Sequence, residues 1–146
     1  MGRGAVSEAR DVGSRPARTV LLDTHVMIWW TSDPDQVSPA AALALSAADE
    51  LAVASITWYE LAWLAEHGRL AMTISPRTWL DGMAQHVRTV ALTPAIAAAA
   101  AALPDTFPGD PADRIIYATA MELGCQVVTK DRRLRDHPAP RPIAIW

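Results

Sequence analysis

The first sustained apolar run, "TVLL" at 19–22, is broken by an aspartate, Asp23, after which a helix-compatible stretch begins. Three more short runs have the same character: "LAVA" (51–54), "TVAL" (89–92) and "QVVT" (126–129). Each is too short for a helix and reads as a strand, and "IAIW" (143–146) reads as a further one. Helix signals fill the intervals. A short helix over His25–Trp30 is closed by "TSDPDQ", and Ser38 with Pro39 opens the next, a cap followed by a proline at the first helical position. Ser55 or Thr57 caps "ITWYELAWLAEHG", which Gly68 closes. "SPRTWLDGMAQHV" and the alanine-rich "TPAIAAAAAALP" repeat the cap-and-proline device, "ADRIIYATAMELG" is a helix, and "DRRLRDH" is a helical turn. Short strands alternating with helices predict a central, mainly parallel sheet of four to five strands with helices on both faces, a three-layer α/β/α sandwich.

Composition narrows the classes. With 146 residues, 51% hydrophobic and 20% charged, the chain suits one domain with a real core. No apolar run reaches the ~18 residues of a membrane span, and the start lacks the apolar segment of a signal peptide, so a cytoplasmic location is expected. Cys125 is the single cysteine and reads as a small buried hydrophobe, which excludes an internal disulfide or a thiolate zinc cluster. Residues 1–18 carry Gly, Ser, Pro and Arg without apolar periodicity and read as a flexible tail before a domain over 19–146. The net charge of −3 gives no global field for a nucleic acid, so any such partner would need local arginines and a bound cation.

Asp23 has acidic counterparts at comparable positions. Asp131 follows the fourth predicted strand, Asp110 and Asp113 straddle a helix start, and Glu60 lies within the apolar stretch "ITWYELAWLA". Each has a plain structural use: helix capping for the aspartates, an exposed amphipathic face for the glutamate. In a parallel sheet, however, strand C-termini and the following helix N-termini share one edge, so these carboxylates would converge. Two like charges about 4 Å apart repel by roughly 4 kcal/mol at an effective dielectric near 20. Such a cluster persists with protons or a cation, and hard oxygen donors suit Mg²⁺ or Mn²⁺.

"LLDTHVMIWW", "ASITWYELAWLAEHGRL", "GDPADRIIYATAMELG" and "VVTKD" together resemble the PIN-domain ribonucleases, in particular the VapC-type toxins of toxin–antitoxin pairs. The resemblance spans about Thr19 to Trp146, and "DPADR" is its most specific part. It places the family's four main acids on Asp23, Glu60, Asp113 and Asp131, with Asp110 at a recurrent accessory position. It implies Mg²⁺- or Mn²⁺-dependent cleavage of single-stranded RNA leaving 3′-hydroxyl and 5′-phosphate ends. Asp23, Asp113 and Asp131 would ligate metal, and Glu60 would hold a metal-bound water or a second ion. Thr24 and Thr129, beside the ligands, are candidates to orient the carboxylates. Arg114, Lys130, Arg132 and Arg133 lie near the acids in sequence and are candidates for phosphate contacts.

Other residues carry less. His25 is a candidate ligand or proton shuttle but reads better as structural or substrate-facing, and His67, His86 and His137 show no metal-ligand spacing. The six tryptophans read mainly as core, although Trp29 and Trp30 point about 100° apart on one helix and cannot both be covered easily. With Trp58 and Trp63 they suggest an exposed apolar surface. The resemblance supplies two occupants for it, a second copy of the chain and a small antitoxin. A haloacid-dehalogenase-type phosphatase would need a second acid where His25 stands, and a receiver domain would need an aspartate after the third strand, where "TVALTPA" has none. The remaining alternative is a PIN-like module that binds RNA or protein with little catalysis.

Overall fold

The computed structural model describes residues 17–146. The predicted tail therefore lies almost wholly outside the described residues. Arg18, at its end, is tied in: its N–H donates to Asp49 Oδ2 at 2.7 Å, and its carbonyl accepts from the N–H groups of Asp49 and Glu50.

The elements run in the order β1 (Thr19–Leu22), α1 (Thr24–Ser32), a 3₁₀ turn (Pro34–Gln36), α2 (Pro39–Ala47), β2 (Glu50–Ala54), α3 (Ile56–Glu66), α4 (Pro76–Ala84), β3 (Arg88–Val90), α5 (Pro94–Ala102), α6 (Pro111–Leu123), β4 (Gln126–Val128), α7 (Arg132–Arg135) and β5 (Ala144–Ile145). The five strands form one sheet in the order β3-β2-β1-β4-β5, and every pairing is parallel. The architecture is the expected α/β/α sandwich.

Side chains that alternate along each strand feed two cores. Val20, Leu22, Val53 and Val128 join Val26, Met27, Leu45 and Leu61 on one face, under α1, α2, α3 and α4. Leu21, Ala52, Ala54 and Val127 join Ile96, Ala100, Ile116 and Ala120 on the other, under α5 and α6. The central strand β1 is buried on both faces, which explains its unbroken apolar sequence.

Local rules account for most helix ends. Ser38, Ser75 and Thr93 accept from the N–H three residues on, each with a proline inside the first turn. Gly68, at φ +67°, ends α3 in a Schellman arrangement, with Arg69 N–H bonded to Leu64 O and Gly68 N–H to Ala65 O. Neither Ser55 nor Thr57 caps α3, contrary to the sequence expectation. Ser55 has helical backbone angles, and its Oγ instead accepts from Leu92 N–H beyond β3, while Thr57 is fully buried.

The tryptophan expectation holds for the partial burial of Trp29 and Trp30 and for the exposure of Trp63, but not for Trp58. Trp29, Trp30, Trp58 and Trp79 are partly buried against the first core, and so is Trp146. The exposed aromatics are Tyr59 and Trp63, one turn apart on α3.

Candidate active site

Three of the candidate acids are helix caps. Asp23 Oδ1 accepts from Thr24 N–H at 2.8 Å at the start of α1, Asp110 Oδ1 from Asp113 N–H at 3.1 Å at the start of α6, and Asp131 Oδ1 from Arg133 N–H at 2.9 Å at the start of α7. Capping and site formation turn out to be compatible. A cap places a carboxylate at the mouth of a helix, and parallel strand order brings those mouths to one edge of the sheet. Asp23, Glu60, Asp110, Asp113 and Asp131 line one cavity of about 520 Å³, together with Thr24, His25, Trp29, Lys130 and Arg133.

Hydroxyl groups fix the carboxylates. Thr129 Oγ1 donates to Asp23 Oδ2 at 2.6 Å and accepts from Asp131 N–H at 3.0 Å, so one threonine joins acids from the ends of β1 and β4. Thr24 Oγ1 donates to Glu60 Oε1 and lies 3.4 Å from Thr57 Oγ1. Thr57 is a contributor that the sequence did not reveal. Nothing in its neighbourhood along the chain distinguishes it from a helix residue that simply faces the core.

The electrostatics are those of crowded acids. Burial pushes the Asp23 carboxyl up despite its bonds from Thr129 and Thr24, and burial likewise raises Glu60. Asp113 is raised to about 7, first by burial and then by the charges of Asp110, Asp23 and Asp131. Asp131 moves the opposite way, because the Arg133 guanidinium is bonded to it. Arg133 Nη2 stands 2.8 Å from Asp131 Oδ2 and 3.4 Å from Asp113 Oδ2.

The cations suggested for phosphate contacts separate in the structure. Lys130 and Arg133 line the cavity, whereas Arg132 is exposed and does not. Arg114 is committed elsewhere. Its Nε donates to Pro108 O, Nη1 to Ala100 O and Leu103 O, and Nη2 to Pro104 O, at 3.0–3.2 Å. It staples the end of α5 and the following loop to α6, a structural duty that takes four of its five N–H donors.

The PIN domain family model matches residues 20–140. This chain belongs to the PIN-domain family. Ribonuclease VapC22 of Mycobacterium tuberculosis (strain ATCC 25618 / H37Rv) is 59% identical over 128 residues, which cover 88% of this chain and 98% of that protein. Three solved structures share the fold at lower identity. A toxin–antitoxin complex from Klebsiella pneumoniae is 21% identical, with a TM-score of 0.62 over 87% of this chain and 96% of that one. VapBC2 from Rickettsia felis, bound to a DNA fragment from their promoter, is 13% identical with a TM-score of 0.65, over 87% and 97%. VapBC-1 from nontypeable Haemophilus influenzae is 18% identical with a TM-score of 0.61, over 81% and 93%.

Relationship to VapC proteins implies a divalent metal, and the donor set fits one in kind. The cavity offers carboxylate oxygens, the preferred ligands of Mg²⁺ and Mn²⁺. Its five acids crowd one another, and their repulsion, which adds to burial in raising Asp113, is what a cation would relieve. Among the described residues, however, no group of three or more acidic, histidine or cysteine side chains forms a ready-made metal cage. Arg133 is the cation that bridges Asp113 and Asp131 in this arrangement.

Proposed function

We propose that this PIN domain is a divalent-metal-dependent endoribonuclease that cuts single-stranded regions of RNA, and that it is the toxin of a type II toxin–antitoxin pair. The observation that carries the reading is the one cavity lined by Asp23, Glu60, Asp113 and Asp131, which come from the start of α1, from α3, from the first turn of α6 and from the start of α7. The kinship with Ribonuclease VapC22 supports it. In this reading Asp23, Asp113 and Asp131 hold the ion. When bound, Mg²⁺ or Mn²⁺ supplies charge stabilisation at the scissile phosphate and acidifies water at neutral pH.

The chain's own residues supply the rest. Thr129 aims Asp23, and Thr24 fixes Glu60 through Oε1. Burial raises the proton affinity of Glu60, which suits a carboxylate that takes a proton from the attacking water. The new P–O bond forms as the P–O3′ bond breaks, so the phosphate stays on the 5′ end of one fragment, and the 3′-oxygen takes a proton from solvent and leaves as a hydroxyl.

The partners follow from the same kinship. We assign the exposed α3 face of Tyr59 and Trp63 to protein association, with a second copy or with the antitoxin. Among the described residues no helix is long and apolar enough to cross a membrane, and a cytoplasmic site of action belongs to this proposal.

The deciding experiment compares wild type with Asp23→Asn on single-stranded RNA in Mg²⁺ and in excess EDTA. Cleavage should need the metal and fall at least ~100-fold in the variant, with an unchanged circular dichroism spectrum. Equal cleavage by both proteins would refute the assignment.

A further inference from the structure

Lys130 differs from the other cations near the acids. Arg133 is paired with Asp131 and Asp113, and Arg114 is spent on carbonyls. Lys130 lines the same acidic cavity, yet among the described residues it makes no salt bridge. Its Nζ lies instead 5.5 Å from the ring centroid of Trp29 and 6.0 Å from that of Trp146. The two indoles are 5.8 Å apart and tilted by 56°, so one ammonium is shared by two aromatic groups. His25, also on the cavity wall, lies 5.9 Å from Trp29 and extends the aromatic surface toward the acids.

This arrangement has a chemical consequence. A carboxylate partner cancels a lysine's charge, whereas an aromatic face attracts the ammonium through its quadrupole and leaves the net charge intact. The three N–H donors of Lys130 remain suited to a strong acceptor. Its backbone is set firmly, because its neighbours Thr129 and Asp131 are bonded to each other and Thr129 to Asp23. A chain of net charge −3 with five acids around one cavity repels a polyanion, so the cation that is not neutralised locally decides where the strand can approach.

We propose that Lys130, held by Trp29 and Trp146, is the receptor for a backbone phosphate of the RNA strand flanking the one that is cut. Lys130 is the contact residue, and the two tryptophans are positioning residues. The inference rests on the ribonuclease reading above and names a substrate contact for it.

The test measures cleavage of a fluorescent single-stranded oligoribonucleotide in Mg²⁺, across a series of KCl concentrations, by wild type, Lys130→Ala, Lys130→Arg, Trp146→Leu and the Lys130→Ala/Trp146→Leu double variant. Lys130→Ala should raise KM by about 5–20-fold at low salt, with a smaller change in kcat. The slope of log kcat/KM against log salt should become shallower by about 0.7, the value for one lost phosphate contact on a single strand. Lys130→Arg should restore the slope. Trp146→Leu should raise KM in the same direction, and the double variant should be no worse than Lys130→Ala alone, since an indole that only positions Lys130 has nothing further to lose. A purely structural role for Trp146 would lower the melting temperature without moving the salt slope, and that result would overturn its part in the proposal. Unchanged KM and slope in Lys130→Ala, with active wild type, would overturn the phosphate assignment and leave the ribonuclease reading intact. Wild type no more active than Asp23→Asn would remove both.

Discussion

The Thr129 hydroxyl donates to the Asp23 carboxylate at 2.6 Å across a sequence separation of 106 residues. The same oxygen accepts from Asp131 N–H, so a single buried side chain sets the spacing of two acids. Thr129→Val keeps the shape and removes both bonds. By analogy with groups that orient metal ligands, RNA cleavage should fall about 10–100-fold, and higher Mg²⁺ should recover part of the loss. Steady-state kinetics at two Mg²⁺ concentrations check this.

Asp113 is raised to about 7, against an ordinary value of 3.8 in the unfolded chain. Between those pH values the folded protein keeps a proton that the unfolded chain has released, so this group's contribution to stability is present in acid and is lost as pH rises through about 7. In EDTA at pH 8, Asp113→Asn should therefore be more stable than wild type, by on the order of 2 kcal/mol, and the difference should vanish below pH 4. Added Mg²⁺ should reverse the order at pH 8, because an ion that binds the native carboxylates stabilises wild type by mass action. Urea unfolding at the two pH values gives the answer.

Arg114 reaches four carbonyls with one planar guanidinium. Lysine has the charge but not the fork. Arg114→Lys should cost roughly 2–4 kcal/mol in denaturant unfolding, several charge-assisted bonds at about 1–2 kcal/mol net each, incompletely replaced. A loss below half a kcal/mol would show that the staple is dispensable.

Gly124 ends α6 at φ +64°, and a Cβ added there would meet nothing within 4 Å. The penalty for Gly124→Ala is then one of backbone conformation alone, about 1 kcal/mol. Its thermal midpoint should drop by a few degrees with full activity.

The strands were legible because each apolar run is short, β-branched or bounded by caps. The acids were legible because a strand-ending aspartate and a capped helix start must share an edge in a parallel sheet. Asp23, Asp110 and Asp131 proved to be caps and cavity walls together, so the two readings weighed for them were never exclusive. What the sequence hid depends on which segments pack together. Ser55 looks like a cap and serves β3, and Arg114 looks like an RNA contact and serves its own loop. Thr57 meets Thr24 only after α1 and α3 have docked. The aromatic neighbours of Lys130 come from opposite ends of the described chain and leave no local trace.

The central strand β1 pairs with β4, so Val20–Leu22 must wait for Gln126–Val128 before the sheet is complete. Contacts of such long range form late and slowly. On the ribosome, Asp23 emerges more than a hundred residues before Thr129 and Asp131 can join it. A nascent chain or a fragment stopped before β4 therefore has most of its core residues and no working set of acids. The topology acts as a timer: the cluster of acids is assembled only once β4 and the residues just after it have been made.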